Sequence, residues 1–399
     1  MTSTTTPAAA ASGGIELLQT LSGDDATEEL LLDSLEETLL QQQDFHRLFD
    51  ASLIRIRRDL GLSVTQPTSL DGVPKDREAV FREGYINAAR RVGRLFLDAG
   101  KLSDAWAYFR TIGEPQPVKD AIDQIPVPRE PDDDFDAVLN VALYEGAHIV
   151  RGLEFLLKTH GTCNTITAFS QVQQQMSSAE RRAAAAMMVR QIYGDLQQSI
   201  RRQVESRNPA LPPNASIAEL MAGREWLFAD GNYHIDVSHL HSTVGFARAL
   251  QRDDPELKLA IELCDYGSHL ADQLQYPGDV PFDEYYTAHH WFLTALAGRN
   301  VDDSLSYFKQ RLQDEPEISD RQLIAFVLLD LAQRVNRTDE VLELAAPYVG
   351  RLEDPAGFSF SALCAELGRC DVLEDVARNN DDVIAYVTAK LLAGKSGKD

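Results

Sequence analysis

The sequence predicts an all-α protein, an α-solenoid of helix–turn–helix repeats with an irregular helical central region. Three observations carry that expectation. Apolar residues recur at helical spacing along most of the 399 residues, and no sustained period-two alternation is bounded by Asn-Gly or Asp-Gly turns. The stretch 89–117 reads as one complete helical hairpin: Gly93 where two helices must approach, Gly100 at the turn after Leu97, Ala105 small at the crossing, Phe109 one helical turn later, and Pro117 as a stop. Turn-like sequences then return near the C-terminal end, with Arg299, Arg337 and Arg369 separated by 38 and 32 residues, as 299, 337 and 369 require. Intervals close to a fixed period of about 34 residues are the mark of stacked repeats, none of which buries its apolar face alone.

Taken in order, residues 1–25, opening with MTSTTTPAAAASGG, are expected to form a disordered tail without the basic and apolar regions of a secretory signal. Residues 26–125 form the N-terminal helical region. Leu30, Leu31, Leu35 and Leu39, then Phe45, Leu48, Phe49, Leu53 and Ile54, are spaced for helices, and 61–74 with its two prolines reads as a loop. An acidic, Pro-containing linker is expected over 126–136. The central long-helix region, 137–225, opens with a helix over 137–160, followed by a loop or short turn over 161–171, where helix propensity is low. Ser177 with Glu180, and Ser216 with Glu219, have the spacing of capping boxes and place two helix starts. The stretch 208–213, NPALPP, ends the first of these helices. Residues 226–394 read as degenerate helical hairpins around turns at 229–232, 297–300, 335–338 and 367–370.

Composition excludes several classes. The formal net charge is −24, from 38 basic and 62 acidic residues, and such a field repels nucleic acid and anionic membranes. No window approaches the roughly 20 apolar residues that span a bilayer. The four cysteines form no CxxC pair and suggest neither a disulfide framework nor a zinc ribbon. A cytoplasmic protein without nucleic-acid or membrane partners is expected. There is no GxSxG elbow, no GxxxxGK[ST] loop and no GxGxxG after a strand.

Residues 87–117 resemble the tetratricopeptide repeat family at Gly93, Phe96, Gly100, Ala105, Phe109 and Pro117. The large aromatic residue near the start of the first helix is replaced by Ala89. The resemblance implies a right-handed superhelix whose concave face binds a peptide, a helix or another protein, without a cofactor. By the same resemblance Asn87, Arg90, Arg91 and Arg94 are groove residues able to donate to a carboxylate. The three arginines also fit helix-surface charges paired with nearby acids. A protein-interaction scaffold is therefore the first expectation, and an enzyme the second.

The second expectation rests on histidine and carboxylate spacing. Glu145 and His148 show the Glu-x-x-His pattern of di-metal helical bundles, while His234, Asp236, His239 and His241 crowd into one segment. If these segments are helical, Glu145, His148, His234, Asp236 and His239 could hold zinc, iron or manganese, and such an ion could activate a water. So many acids make such pairs common by coincidence. Tyr285 and Tyr286 are expected to pack between helices.

Overall fold

A computed structural model describes residues 27–207, 212–350 and 358–396, so the expected tail at 1–25 and residues 208–211 of the 208–213 stop lie outside the described residues. All regular structure among those residues is helical, with no β-strand among them. The chain divides into two compact units, residues 1–161 and 162–399.

The first unit opens with α1 (Glu28–Gln41), capped by the Thr27 hydroxyl, which accepts from the Leu30 amide at 3.2 Å. Helix α2 (Phe45–Asp59) buries Phe45, Leu48, Phe49, Ser52 and Leu53, the stripe its spacing predicts. Arg55 ties the pair together, reaching Glu36 at 2.8 Å, Glu29 at 2.6 Å and Asp33 at 2.7 Å on α1. The loop after α2 is clamped by Arg57, which donates to the carbonyls of Ser63 at 2.7 Å, Pro67 at 3.2 Å and Ser69.

Helices α3 (Lys75–Asp98) and α4 (Leu102–Thr111) form the hairpin read from the sequence. Gly93 is there because a Cβ would stand 2.7 Å from the Phe109 ring, so only glycine lets the two helices come this close. Phe96, buried beneath, meets Phe45 edge-on at 5.1 Å and stacks on Tyr108 at 5.7 Å. Pro117 differs from expectation. It occupies the first turn of α5 (Gln116–Asp123), where its missing N–H costs nothing, and α4 has already ended at Thr111.

The expected single helix over 137–160 is three pieces: α6 (Asp133–Leu139), a π-helical turn (Asn140–Tyr144), and the first part of α7 (Ile149–Val172). Between them Gly146 takes φ +79°, a backbone that no helix accommodates. The gap lets Gly152 press against Leu143, where a Cβ would lie 2.7 Å from the Leu143 Cβ. Gly161, at φ +81°, interrupts α7 where the units divide.

The second unit corrects another expectation, because residues 162–172 are helical despite their Thr, Asn and Ser. Burial of Ile166, Phe169 and Val172 overrides propensity, and hydroxyls turn back onto the helix, Ser170 to the Ile166 carbonyl at 2.9 Å and Thr167 to that of Cys163 at 3.1 Å. Helix α8 (Ser178–Glu205) and the short α9 (Ile217–Met221) each start with the expected capping box. The alanines 184–186 of α8 are buried in its Ala-rich first half, and the helix as a whole packs against α9, α10 (Val237–Phe246) and α11 (Glu256–Ser268). From there each helix touches its next one or two along the chain: α12 (Tyr285–Leu296), α13 (Val301–Asp314), α14 (Ile318–Arg334), α15 (Leu342–Val349), α16 (Phe360–Glu366), α17 (Cys370–Asn379) and α18 (Val383–Ser396). One hydrophobic core runs through the unit, from Ala185 to Ala389.

Three of the expected C-terminal turns and the one at Gly100 share a hydrogen-bond pattern that also closes the turns at Gln43, Gly61, Gly113 and Asp381. At Gly100, Gly298, Asn336 and Gly368 the backbone is left-handed, with φ +71°, +74°, +58° and +70°. Each of these residues donates to the carbonyl three back, and its successor donates to the carbonyl five back: Lys101 to Phe96, Arg299 to Thr294, Arg337 to Ala332 and Arg369 to Cys364. That is the C-terminal helix cap in which two orphan carbonyls are satisfied at once. The turn expected at 229–232 is different, since it leaves a 3-10 helix (Glu225–Gly231) rather than an apolar α-helix.

Candidate functional site

The structure gives the sequence-predicted residues separate local tasks. On α3, Arg90 gives Nε and Nη2 to Glu114 at 2.9 and 2.6 Å and Nη1 to Asn87 at 2.7 Å, while Arg91 reaches Glu36 at 3.0 Å. These contacts join α3 to the α4–α5 connection and to α1. Arg94 is exposed.

Glu145 and His148 do not share a helix face, because Gly146 breaks the helix between them. The Glu145 carboxylate accepts from the Asn140 side-chain amide at 3.0 Å, and His148 Nε2 lies 3.2 Å from Asp123. In the second unit α10 begins only at Val237, so His234 and Asp236 precede it. Asp236 is its cap, accepting from the amides of Ser238 at 2.9 Å and His239 at 3.3 Å. The Ser238 hydroxyl, at 2.6 Å, is the chief cause that holds the Asp236 carboxyl below its ordinary pKa. His234 is positioned by Tyr266, whose hydroxyl accepts from the His234 amide at 2.8 Å and lies 3.0 Å from Nδ1. Burial pushes its pKa down. Among the described residues no group of three or more His, Cys, Asp or Glu side chains stands where it could hold one ion.

What the second unit does build is a pair of hollows, of about 460 and 780 Å³, both lined by Arg248 and Tyr285. Arg248 sits on the 3-10 turn (Ala247–Ala249) that ends α10, and Tyr285 opens α12. Two close approaches set the geometry. The Tyr285 hydroxyl donates to the His241 carbonyl at 2.6 Å, and Gly245 lies opposite it, where a Cβ would be 2.8 Å from that oxygen. The His241 ring then lies flat on the Tyr285 ring, centroids 3.6 Å apart and planes within 15°.

Helical spacing on α12 places Tyr285, His289 and Phe292 along one face. His289 is 1% exposed, and its Nδ1 donates to the Tyr285 carbonyl at 2.8 Å, which leaves Nε2 as the lone-pair nitrogen. That Nε2 and the Nδ1 of His241 are buried without a hydrogen-bond partner. Burial above all, helped by the charge of Arg248, drops the His289 pKa to about 3, so the ring is neutral. His241 is lowered by burial as well, and burial raises Tyr285.

Arg248 itself carries a single hydrogen bond, from Nε to the Gly245 carbonyl at 3.4 Å, and no ion pair among the described residues. Its guanidinium carbon stands 4.6 Å above the Phe282 ring. Arg248 is exposed to solvent. Desolvation by neighbouring atoms is the first cause of its lowered pKa; nearby Arg334 adds to it, and Tyr285, Asp330 and Asp279 oppose it. Arg334 is occupied, donating to the carbonyls of Arg248 at 2.8 Å and Leu250, and lying 3.4 Å from Asp330. Arg181, on the smaller hollow, donates to the Met176 carbonyl at 2.8 Å. Chemically, this arrangement sets hydrogen-bond donors and one positive charge among aromatic rings.

The sequence reading missed Arg248 and treated Tyr285 as core alone. The available signal was weak: one arginine in the apolar run GFARAL. Compared with family models, with curated proteins and with solved structures, the chain matches none.

Proposed function

We propose that the protein is a helical-repeat interaction protein, an α-solenoid of tetratricopeptide-like hairpins that presents a surface to a peptide or helix of another protein. The observation that carries the reading is a link from two of the C-terminal turns, at Arg337 and Arg369, back to the segment after the turn before. Arg337, in the turn after α14, reaches Asp302 at 2.9 Å, in the first turn of α13. Arg369, in the turn after α16, reaches Glu343 at 2.6 Å, in the first turn of α15. In both cases the arginine after the left-handed residue bonds an acid in the first turn of the α-helix that follows the preceding turn. Edges of successive hairpins thus lie side by side, as expected of a stacked array. These are exposed pairs, worth little to stability, so their value is as a record of register. Sequential packing of neighbouring helices over the C-terminal part of the second unit, and the α3–α4 hairpin closed over Gly93, support the same reading.

Within it, Arg94 is the groove residue whose head group is free to meet a ligand, while Arg90 and Arg91 are held by Glu114 and Glu36. No observation favours the metal-dependent alternative. The test is to pan a displayed peptide library against the full chain and measure enriched peptides by fluorescence anisotropy. Saturable binding that weakens at least several-fold in Arg94→Glu is expected. No enrichment over an unrelated helical protein would overturn the interaction reading, and binding unchanged in Arg94→Glu would remove the groove assignment.

A further inference from the structure

We infer that the hollow around Arg248 is a binding site for a monocarboxylate carried on an apolar or aromatic body, supplied either by a free organic acid or by the C-terminal end of a peptide. The first support is the unspent guanidinium. An arginine has five N–H donors in a planar fork, and here only the Nε–H has a protein partner, at the long distance of 3.4 Å. Arginines elsewhere have carboxylate partners, Arg182 in Asp254 at 2.7 Å and Arg55 in three, whereas Arg248 stands beside a hollow without one. A ligand carboxylate can take its remaining donors and pair its charge.

The second support is the wall. The Phe282 ring underlies the guanidinium, Phe292 lies on the same α12 face as Tyr285, and the Tyr285–His241 stack borders both hollows' shared edge. Volumes of about 460 and 780 Å³ are in the range of sites for small organic molecules.

The charge count selects a monoanion. Asp279 and Asp320 line the larger hollow, and Asp330 the smaller, against Arg248, Arg334 and Arg181. Arg334 and Arg181 already have protein partners, so Arg248 carries the one positive charge left for a ligand. A carboxylate neutralises the one unpaired guanidinium, whereas phosphate would set its second charge against Asp279 and Asp330. The inference stands on the hollow alone, so it can fail while the repeat reading holds, and the reverse.

The test uses the full chain with five probes: 3-phenylpropionate, its uncharged amide, a short peptide ending in a free Phe carboxylate, the same peptide amidated, and inorganic phosphate. Saturation-transfer NMR detects weak binding and calorimetry ranks it. The expected result is that a free-acid probe binds and its amide does not, with the phenylpropionate or the peptide arm naming the source. Arg248→Met, which keeps the aliphatic stem, should weaken that binding about tenfold to a hundredfold, the range of a charge-assisted contact, while Arg110→Met in the first unit leaves it unchanged. The inference is overturned if neither acid binds, if acid and amide bind alike, if phosphate binds more tightly than both acids, or if a folded Arg248→Met binds as well as the unaltered protein. The acid-against-amide comparison needs no variant and decides the matter should Arg248→Met fail to fold.

Discussion

Arg57 in the first unit and Arg248 in the second begin from the same local situation and end with different tasks. Each lies at the end of an apolar helical run, and each sets its guanidinium over a phenylalanine ring, Arg57 at 5.2 Å from Phe81 and Arg248 at 4.6 Å from Phe282. Arg57 is 2% exposed and gives its donors to three carbonyls of the 61–74 loop. Arg248 faces a hollow with one long bond to its name. A buried cation with all three guanidinium nitrogens engaged is a structural clamp. One that is exposed beside a hollow and left unengaged is open to a partner. The lesson is that burial and hydrogen-bond satisfaction together, and not residue type, separate the two roles.

The largest expected effect puts this contrast on a stability scale. Arg57→Met leaves three loop carbonyls without their donor and should cost about 3 kcal/mol in urea unfolding. Arg248→Met breaks no such set and should change stability by less than about 0.5 kcal/mol. A loss above about 2 kcal/mol at Arg248 would make it a clamp too and erase the distinction.

Next in size is a pH effect confined to the hollow. His289 titrates near 3 when folded and near 6.5 when unfolded, so between those values the unfolded chain binds the extra proton. Stability is therefore undiminished above pH 6.5 and falls as the pH drops toward 3, by at most about 1.4 kcal/mol per pH unit from this group. Comparing unfolding at pH 7 and pH 5 should show a smaller loss in His289→Asn than in the unaltered protein. Equal losses would show that the ring is not kept neutral by its surroundings.

The smallest effect concerns the turn-to-turn links. Arg337→Ala removes pairs whose acids are largely exposed, and should cost under about 1 kcal/mol, less still at high salt. A cost of several kcal/mol would mean that the link holds the hairpins together instead of recording how they stack.

Much of the fold was legible in the sequence. Capping boxes at Ser177 and Ser216, the close approach at Gly93 and the turns at Gly298, Asn336 and Gly368 come from local chemistry that tertiary context did not override. Expectations failed where one residue's backbone or a neighbour's packing decided. Gly146 broke a helix that its flanks favour, and burial of Ile166 and Phe169 made a helix from residues that disfavour one. The histidine reading assumed that Asp236 was inside a helix, but a short acid is equally suited to cap one, and capping won.

The sequence by itself determined that this chain is helical, where most helices start and stop, and that its C-terminal turns recur. Those properties come from residues within about five positions of one another, the reach of a helix hydrogen bond and its caps. Only the tertiary structure decided which arginine is a clamp and which is left open. Both RIRRDL and GFARAL set an arginine near the end of an apolar helical run. The 61–74 loop folds back over Arg57 and meets its donors. Arg248, between α10, α12 and α14, has aromatic rings for neighbours and no carbonyl or carboxylate near enough to fill its fork. Whether a donor is satisfied depends on chain segments far away in sequence, and no local pattern encodes that.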